Sequence, residues 1–351
     1  MHSFKLALVL GLSTLLLAAK VSQAQSQATT PAPGSGIAIV QPSLTAPGSA
    51  SFHLQARITD KDDPDNPTDV EVYWVNATRW RREIKSSEFS QTLIVNGNDV
   101  FDEHSDDFIP LPIETLLTAM TDPGTLLAAM ASTDKAYTKA NGGANESGVV
   151  CFEPAQNGKA MTLCGKSALG LREIVDVPGH PVQFTNYQEF FGRRVAREIL
   201  TTPEVGVSYT ARVTFLSQLD NPDQELFSVP KPTPPREWLR IATFSEQELR
   251  GLLTAPHEVV WPQVLDGNSK GSASYYVAID RDGKVRETVV IRSDNERAND
   301  SARRQITSWK FKPPTKDSLP VQAEGILNFR LDTRAWGPAS PLNNDQVRKL
   351  A

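Results

Sequence analysis

Apolar and polar residues alternate along much of the chain between residues 51 and 216, which is the period of strands with one buried face. The clearest alternating segments are 51–58, 69–75, 80–84, 90–95 and 207–216. Further strands are predicted at 148–153, 159–164 and 169–175. Residues 187–200 carry charges that suit a helix, but their β-branched and aromatic residues and Gly192 favour a strand.

A short helical stretch interrupts these strands. Pro112 suits the first turn of a helix, and the apolar residues that follow at helical spacing are Ile113, Leu116, Leu117 and Met120. A turn at 122–124 ends this helix, and a second one is predicted to begin at Leu126, Leu127 and Met130. Strands around a helical insertion predict an α+β fold.

The chain after residue 236 has a different order of elements. Ser245 to Glu248 is an S-x-x-E capping box, which opens a short helix. Asp282-Gly283 is a turn between two alternating strands, one after Gly271 and one through Ile291. Residues 298–311 have helical spacing, and the final strand covers 323–331.

Composition along the chain predicts its boundaries. The apolar run 6–19 follows His2 and Lys5 and is too short to span a bilayer, so residues 1–24 are interpreted as a secretory signal peptide. An uncleaved membrane anchor is the alternative. Residues 25–49 are predicted to be a flexible linker and 230–235 a proline-rich linker. The predicted domains are 50–229 and 236–335, and a tail follows at 336–351.

The charge balance excludes one class of partner. The chain has 351 residues, of which 39% are hydrophobic, and its formal net charge is -5. Such a composition supports a packed core, but it offers no basic face for a phosphate backbone. Nucleic acid is therefore not an expected partner.

The two cysteines, Cys151 and Cys164, flank the turn dipeptide Asn157-Gly158. In an exported protein, a disulfide that closes this hairpin is the favoured interpretation. Two free thiols that pack as small hydrophobic groups are the alternative.

Catalytic motifs are not found in the sequence. There is no G-x-S-x-G nucleophile elbow and no H-E-x-x-H motif. Acidic clusters at 60–65 and 102–107 could bind a metal through oxygen ligands, but solvated turns are favoured. We expect no catalytic residue, no metal and no cofactor, and hence no enzyme.

The C-terminal pattern resembles the TonB C-terminal domain over about residues 257–333. The matching features are the Trp261-Pro262 pair, the 279–285 hairpin, Trp309-Lys310-Phe311-Lys312-Pro313 and the last strand. Trp261 stands where that family usually has tyrosine, and its long Pro/Lys-rich segment is missing. The resemblance implies about three antiparallel strands and one main helix, in a periplasmic protein that binds envelope proteins.

In the TonB class, a partner adds a strand to the free edge of the small sheet, and backbone hydrogen bonds supply affinity. The resemblance places this edge at the last strand. Self-pairing or an edge blunted by charge is the alternative. The expected partner-binding residues are Ala323, Gly325, Ile326, Asn328, Arg330, Trp261 and Pro262.

The region 50–229 resembles the LolA/LolB lipoprotein-carrier class in strand order, in 80–84 followed by 95–97, and in 226–230. This resemblance implies a curved antiparallel sheet, closed on one side by helices, whose apolar concave face accepts acyl chains. A lipid or lipoprotein carrier is therefore the alternative function. The alternative, which is favoured because apolar sheet faces usually do so, is that the same residues pack an ordinary core. The expected lining is Phe52, Leu54, Trp74, Trp80, Leu93 and Phe215.

Overall fold

The computed structural model describes nine segments of the chain. They are residues 43–123, 137–139, 150–154, 163–166, 170–177, 180–201, 208–255, 257–263 and 267–333. Between 137 and 181 only the backbone is described. The predicted signal peptide, the second helix at Leu126 and the tail 336–351 lie outside the described residues.

Twelve antiparallel strands form one large N-terminal sheet, in the order β5-β4-β3-β2-β1-β12-β11-β10-β9-β8-β7-β6. Their bounds are β1 Phe52–Asp60, β2 Thr68–Asn76, β3 Arg79–Lys85, β4 Ser90–Asn96, β5 Asp99–His104, β6 Tyr137–Lys139, β7 Val150–Pro154, β8 Leu163–Lys166, β9 Gly170–Val177, β10 His180–Phe190, β11 Arg193–Thr201 and β12 Tyr209–Gln218. Neighbours in the sheet are neighbours in sequence except where β1 pairs with β12. The predicted α+β class with a large antiparallel sheet is confirmed.

Helix α1, Leu111–Thr121, packs on one face of this sheet. Ile113, Leu116 and Met120 enter the same apolar core as Phe52 and Leu54 of β1. Because apolar residues of α1 recur every three or four positions and those of β1 every two, each element presents one apolar side to the other. Burial of these side chains stabilises the helix on the sheet.

Residues 43–49 correct part of the expected flexible linker. Leu44 is buried in the N-terminal core, and its amide donates to the carbonyl of Thr121. The Arg193 guanidinium donates to the Ser43 carbonyl and to the Ser49 hydroxyl. These contacts fix the segment against α1, because an apolar anchor and satisfied backbone groups offset the lost chain entropy.

The segment predicted as one strand at 187–200 is two strands, β10 and β11, joined by a tight turn. Phe191 and Gly192 form the turn, with φ angles of 49° and 69°. Glycine adopts this conformation readily, but phenylalanine rarely does, and so the sequence signal for a turn was weak.

The C-terminal sheet has four strands in the order β13-β18-β14-β15. Their bounds are β13 Ile241–Thr243, β14 Lys270–Ile279, β15 Val285–Ser293 and β18 Gln322–Asp332; a separate small hairpin is formed by β16 Thr315–Lys316 and β17 Leu319–Pro320. The three antiparallel strands were predicted, whereas β13, which runs parallel to β18, was not. Its three residues are too few to show a period.

Two helices accompany this sheet. Helix α2, Glu246–Leu252, begins at the predicted capping box of Ser245 and Glu248. Helix α3, Asn299–Thr307, buries Ala302 and Ile306 in the core beneath Tyr275, Val277 and Leu327. It is shorter than predicted, because the chain at Lys310 and Phe311 is extended and forms bridges to Lys284 and Leu253.

Candidate functional site: two sheet edges and a buried interface

The edge of β18 is closed at its beginning by the chain's own backbone. β13 pairs with residues 322–324. The Gln322 amide donates to the Arg240 carbonyl, and the Phe244 amide donates to the Glu324 carbonyl, each at 2.7 Å. These outward-facing backbone groups already have partners.

Side chains cover the same edge further along. The Asn328 amide donates to the Glu246 carboxylate at 3.2 Å, and the Asn328 carbonyl accepts from the Arg250 guanidinium at 2.8 Å. The Trp261 indole donates to the Arg330 carbonyl at 2.9 Å. Helix α2 and Trp261 thus occupy positions that an added strand would need.

Gly325 allows this close covering. A β-carbon at Gly325 would stand 2.3 Å from the Phe244 carbonyl oxygen and 2.9 Å from Leu249. Only glycine lets the segment before α2 cross β18 at this distance.

The expectation of a free edge at β18 is therefore wrong for this structure. Ala323 and Gly325 are buried, and Pro262 is half-buried. The backbone carbonyls of Asn328 and Arg330 already accept hydrogen bonds from side chains of the same chain. Ile326, 41% exposed, keeps a large apolar side chain in solvent. The β18 edge is covered because sequence-distant residues fold over it, which a strand pattern does not encode.

The opposite edge of this sheet is β15, the last strand in the order. The two residues before β15 are held by the bridge between Lys284 and Lys310 and by the Phe311 amide, which donates to the Gly283 carbonyl. Among the described residues, no strand pairs with β15 on its outer side. The edge of β15, rather than that of β18, therefore leaves a row of backbone N–H and C=O groups without a strand partner in the described part of the chain.

Polar contacts join the two sheets. The Gln322 amide side chain accepts from the Ile109 backbone amide at 2.8 Å and donates to the Ile109 carbonyl at 3.1 Å. Arg286 forms a two-pronged ion pair with Asp106, and Arg281 pairs with Asp107 at 2.8 Å. Phe108 and Leu111 pack beside them on Tyr276 and Ala278. The interface thus combines an apolar centre with a charged rim.

Three carboxyl groups are buried at this interface. Burial and the neighbouring Glu324 raise the pKa of Glu114 well above its ordinary value, and burial raises the pKa of Glu287 to about 7. Glu324 accepts from the Tyr276 hydroxyl, and from Gln322 at 2.7 Å. Glu114 and Glu287 are therefore protonated more readily than exposed acids, because charge is disfavoured where water is excluded.

Sequence reasoning missed this carboxyl cluster. Gln322 and Glu324 lie on the same alternating face of the last strand as Asn328 and Arg330, which are exposed. The polar alternation therefore gave no sign that the first two would be buried against a second surface.

The predicted wet turn at 102–107 is corrected. Asp102 is buried, and its carboxylate accepts from Gln91 at 2.8 Å and from the Leu239 amide at 2.7 Å. Burial alone would raise the pKa of Asp102, but bonds from His104, Gln91 and Leu239 hold it below its ordinary value. The hydrogen bond that His104 donates to the Asp102 carboxylate raises the pKa of His104. In the other acidic stretch, 60–65, residues 61–65 are exposed as predicted, whereas Asp60 is half-buried.

The proline-rich segment lies against the N-terminal sheet. The Thr233 amide donates to the Val100 carbonyl at 2.7 Å, and the Thr233 hydroxyl accepts from the Asp102 amide at 2.9 Å. These bonds cover the outer edge of β5, which would otherwise be exposed.

Five of the six expected lining residues share one face of the N-terminal sheet. Phe52 and Leu54 are fully buried in the core, whereas Trp74, Trp80 and Leu93 are half-buried. Aromatic centroids lie 6.4 Å apart for Phe52 and Trp74 and 6.3 Å apart for Trp74 and Trp80.

Phe215 does not belong to this apolar face. A register shift lies between Gln55 and Ala56, and Phe215 pairs with Gln55. It lies 5.0 Å from the ring of His53 and is 42% exposed. Side chains alternate between faces, so the shift places Phe215 on the opposite side from Leu54.

Cys151 and Cys164 stand directly opposite each other in the β7–β8 pair. The predicted hairpin is thereby confirmed in its backbone. The two side chains lie outside what the structure describes, no disulfide is found, and the disulfide remains a prediction.

None of the helices in the described segments has the length and hydrophobicity of a membrane span. Within the same segments, no group of three His, Cys, Asp or Glu residues could hold a metal ion.

Comparison with known families places the C-terminal sheet. Residues 261–331 match the family described as Gram-negative bacterial TonB protein C-terminal. The match spans the Trp261-Pro262 pair, β14, β15, α3 and most of β18. It confirms the resemblance expected from the sequence for this part of the chain.

Solved structures are similar to about half of the chain. A LolA superfamily protein from Nitrosomonas europaea is 13% identical, with 54% of this chain and 93% of that chain covered and a TM-score of 0.27. A DUF1329 family protein from Desulfovibrio piger is 8% identical, with 52% and 91% covered and a TM-score of 0.31. A comparison with curated proteins finds no match.

Proposed function

We propose that this chain is a non-enzymatic periplasmic protein that binds an envelope protein through its C-terminal sheet by strand addition. The export expected from the N-terminal sequence is consistent with that compartment. The proposal includes no catalytic residue and no cofactor.

One observation carries this proposal: residues 261–331, which match the TonB C-terminal family, form a sheet whose last strand, β15, pairs with β14 and has no other strand beside it in the described part of the chain. Such an edge binds extended chains through backbone hydrogen bonds, and side chains at alternate positions select among them. A partner that adds at β18 would first have to displace β13, α2 and Trp261.

Site-specific photo-crosslinking in cells tests the proposal. A benzophenone amino acid would replace Arg292 on β15 or Ile326 on β18, both exposed, and Glu103 on β5 as a matched exposed control. We expect an adduct with one envelope protein from a C-terminal position, with the partner's crosslinked peptide identified by mass spectrometry. No adduct from either C-terminal position, or the same adduct from Glu103, would contradict strand addition.

A carrier of lipid or lipoprotein acyl chains is the second candidate function. The half-buried side chains of Trp74, Trp80 and Leu93 favour it, because they leave apolar surface uncovered beside a closed core. Native mass spectrometry of gently purified protein would reveal bound acyl chains as discrete added masses. We expect Trp80→Asp to remove them, and a protein that never carries such a mass would exclude this function.

A further inference from the structure

A cleft follows the outer edge of β15. Its volume is about 350 Å³, and four consecutive residues of β15, Glu287 to Val290, line it. Successive residues of a strand point to opposite faces. Four in a row can border one cleft only if the cleft runs along the strand's edge, where the unpaired backbone groups are.

The far wall of the cleft belongs to the N-terminal sheet. The β1–β2 connection contributes Asp60, Asp63 and Asn66, and the β3–β4 turn contributes Ser86 to Glu88. Pro110 and Ile113 supply apolar surface at the base. The cleft therefore has a backbone edge on one side and side chains on the other.

Charge selects the kind of chain that could enter. The carboxyl groups of Asp60, Asp63 and Glu88 line the cleft together with that of Glu287, which is only partly charged near pH 7 because its pKa is raised to about 7, against one guanidinium, that of Arg303. Arg303 already pairs with Asp300 at 3.2 Å. Within the described segments, neither Asp63 nor Glu88 has an ion-pair partner.

We propose that the β15 cleft binds an extended peptide segment that carries lysine or arginine, as an added strand beside residues 287–290. The backbone edge supplies register, and the carboxylates of Asp63 and Glu88 bind the cationic side chains. This inference rests on the proposed function and deepens it, since it names the edge and the chemistry of the partner. A second copy of the chain is the weaker occupant, because self-pairing would bring like carboxylates together.

Titration calorimetry with synthetic peptides tests the charge preference. The probes are an acetylated peptide that alternates lysine and valine and one that alternates glutamate and valine. We expect the full-length protein to bind the lysine peptide at least about tenfold more tightly at low salt, with the difference falling as salt rises.

Two double variants distinguish the effect of charge in the cleft from the effect of the protein's net charge. Asp63→Lys with Glu88→Lys reverses the charge of the cleft wall, and Asp99→Lys with Glu103→Lys makes the same change in net charge at exposed positions of β5 that do not line the cleft. We expect the first pair to lose about tenfold in affinity and the second to lose little. Equal losses would overturn the proposed charge recognition.

Hydrogen exchange locates the added strand in the unmodified protein. We expect amides within 287–292 to slow when the lysine peptide binds, while those of 322–330 are unchanged. Slowing at 322–330 instead overturns the inference but leaves strand addition standing. If no peptide slows amide exchange along either strand and the crosslinking experiment also gives no adduct, both this inference and the proposed function are wrong. Protection of 287–292 without peptide, together with a dimer in sedimentation, overturns the inference in favour of self-pairing.

Discussion

Strands β18 and β15 lie on either side of β14 in the C-terminal sheet, and their edges away from β14 differ. The edge of β18 is covered by β13, by the Glu246 and Arg250 side chains of α2 and by the indole of Trp261. The edge of β15 borders a cleft and has no paired strand among the described residues. Both strands are alternating segments of similar length, so their pattern alone does not separate them.

This difference shows that availability for binding is a property of what packs beside a strand. Residues 240–261 precede the strands in sequence, and they close β18 because their hydrogen bonds satisfy its outward backbone groups. An unsatisfied edge is a template for another chain. The resemblance to a family thus predicts the sheet, but the segments that pack beside the sheet determine which of its edges can accept a partner.

The largest effect is expected at Gly325. Gly325→Ala places a β-carbon 2.3 Å from the Phe244 carbonyl oxygen, so the covering segment must move off β18. We expect a loss of about 3 kcal/mol in the free energy of unfolding, typical of overpacking against backbone. Urea denaturation followed by circular dichroism measures it.

Gly251→Ala is the matched control. A β-carbon at Gly251 meets nothing within 4 Å, and the residue lies in α2. Alanine there should stabilise the protein by about 0.5–1 kcal/mol, through helix propensity. Similar destabilisation by both substitutions would show that the closed edge does not depend on the close approach at Gly325.

A smaller effect is expected from the buried carboxyl of Glu287 behind the open edge. Its pKa is raised to about 7 by burial, so the folded state binds a proton that the unfolded state releases near pH 4.5. Stability from this proton is present below the unfolded pKa and is lost as pH rises through about 7. We expect wild type to lose about 2 kcal/mol between pH 5 and pH 8.5.

Glu287→Gln isolates that contribution. The amide oxygen can still accept from the Leu111 backbone amide, which bonds Glu287 at 3.2 Å, but it does not titrate. We expect the variant to exceed wild type in stability at pH 8.5 and to match it near pH 5. The residual pH dependence would belong to Glu114 and His104, whose pKa values are also raised in the folded state. Parallel curves for the two proteins in urea titrations across this range would refute the assignment.

The smallest effect concerns the indole of Trp261. Trp261→Phe keeps a ring near Phe329 but removes the donor to the Arg330 carbonyl. One partly exposed hydrogen bond contributes about 0.5–1 kcal/mol. We also expect the backbone amides near the end of β18 to exchange hydrogen faster, while exchange in β15 stays the same. Unchanged exchange at both edges would mean that Trp261 does not help to close β18.

Much of the local structure could be predicted because its signals are short-range. The alternation at β1 and β12, the capping box at Ser245 and the turn at Asp282-Gly283 all appear in the structure. The hairpin at Phe191 was missed because its turn uses a residue that rarely adopts positive φ. Strand β13 was missed because three residues cannot display a period.

Site residues were harder to predict than elements. Phe215 alternates correctly with its neighbours, yet one register shift moved it to the other face of the sheet. Asp102 and His104 resemble a wet turn in sequence, but the Leu239 amide, far along the chain, binds the Asp102 carboxylate in the interior. Such partners lie more than a hundred positions away, and composition gives no sign of them.

By itself, the sequence determined where strands and helices form, because periodicity, capping and turn residues act over a few positions. It also determined the excess of carboxylates over cations. Only the tertiary structure decided that β18 is covered, that β15 is open beside Asp63 and Glu88, and that Glu114, Glu287 and Glu324 meet in the interior. These features depend on which surfaces pack together, and burial and hydrogen-bond partners are set by that packing rather than by local pattern.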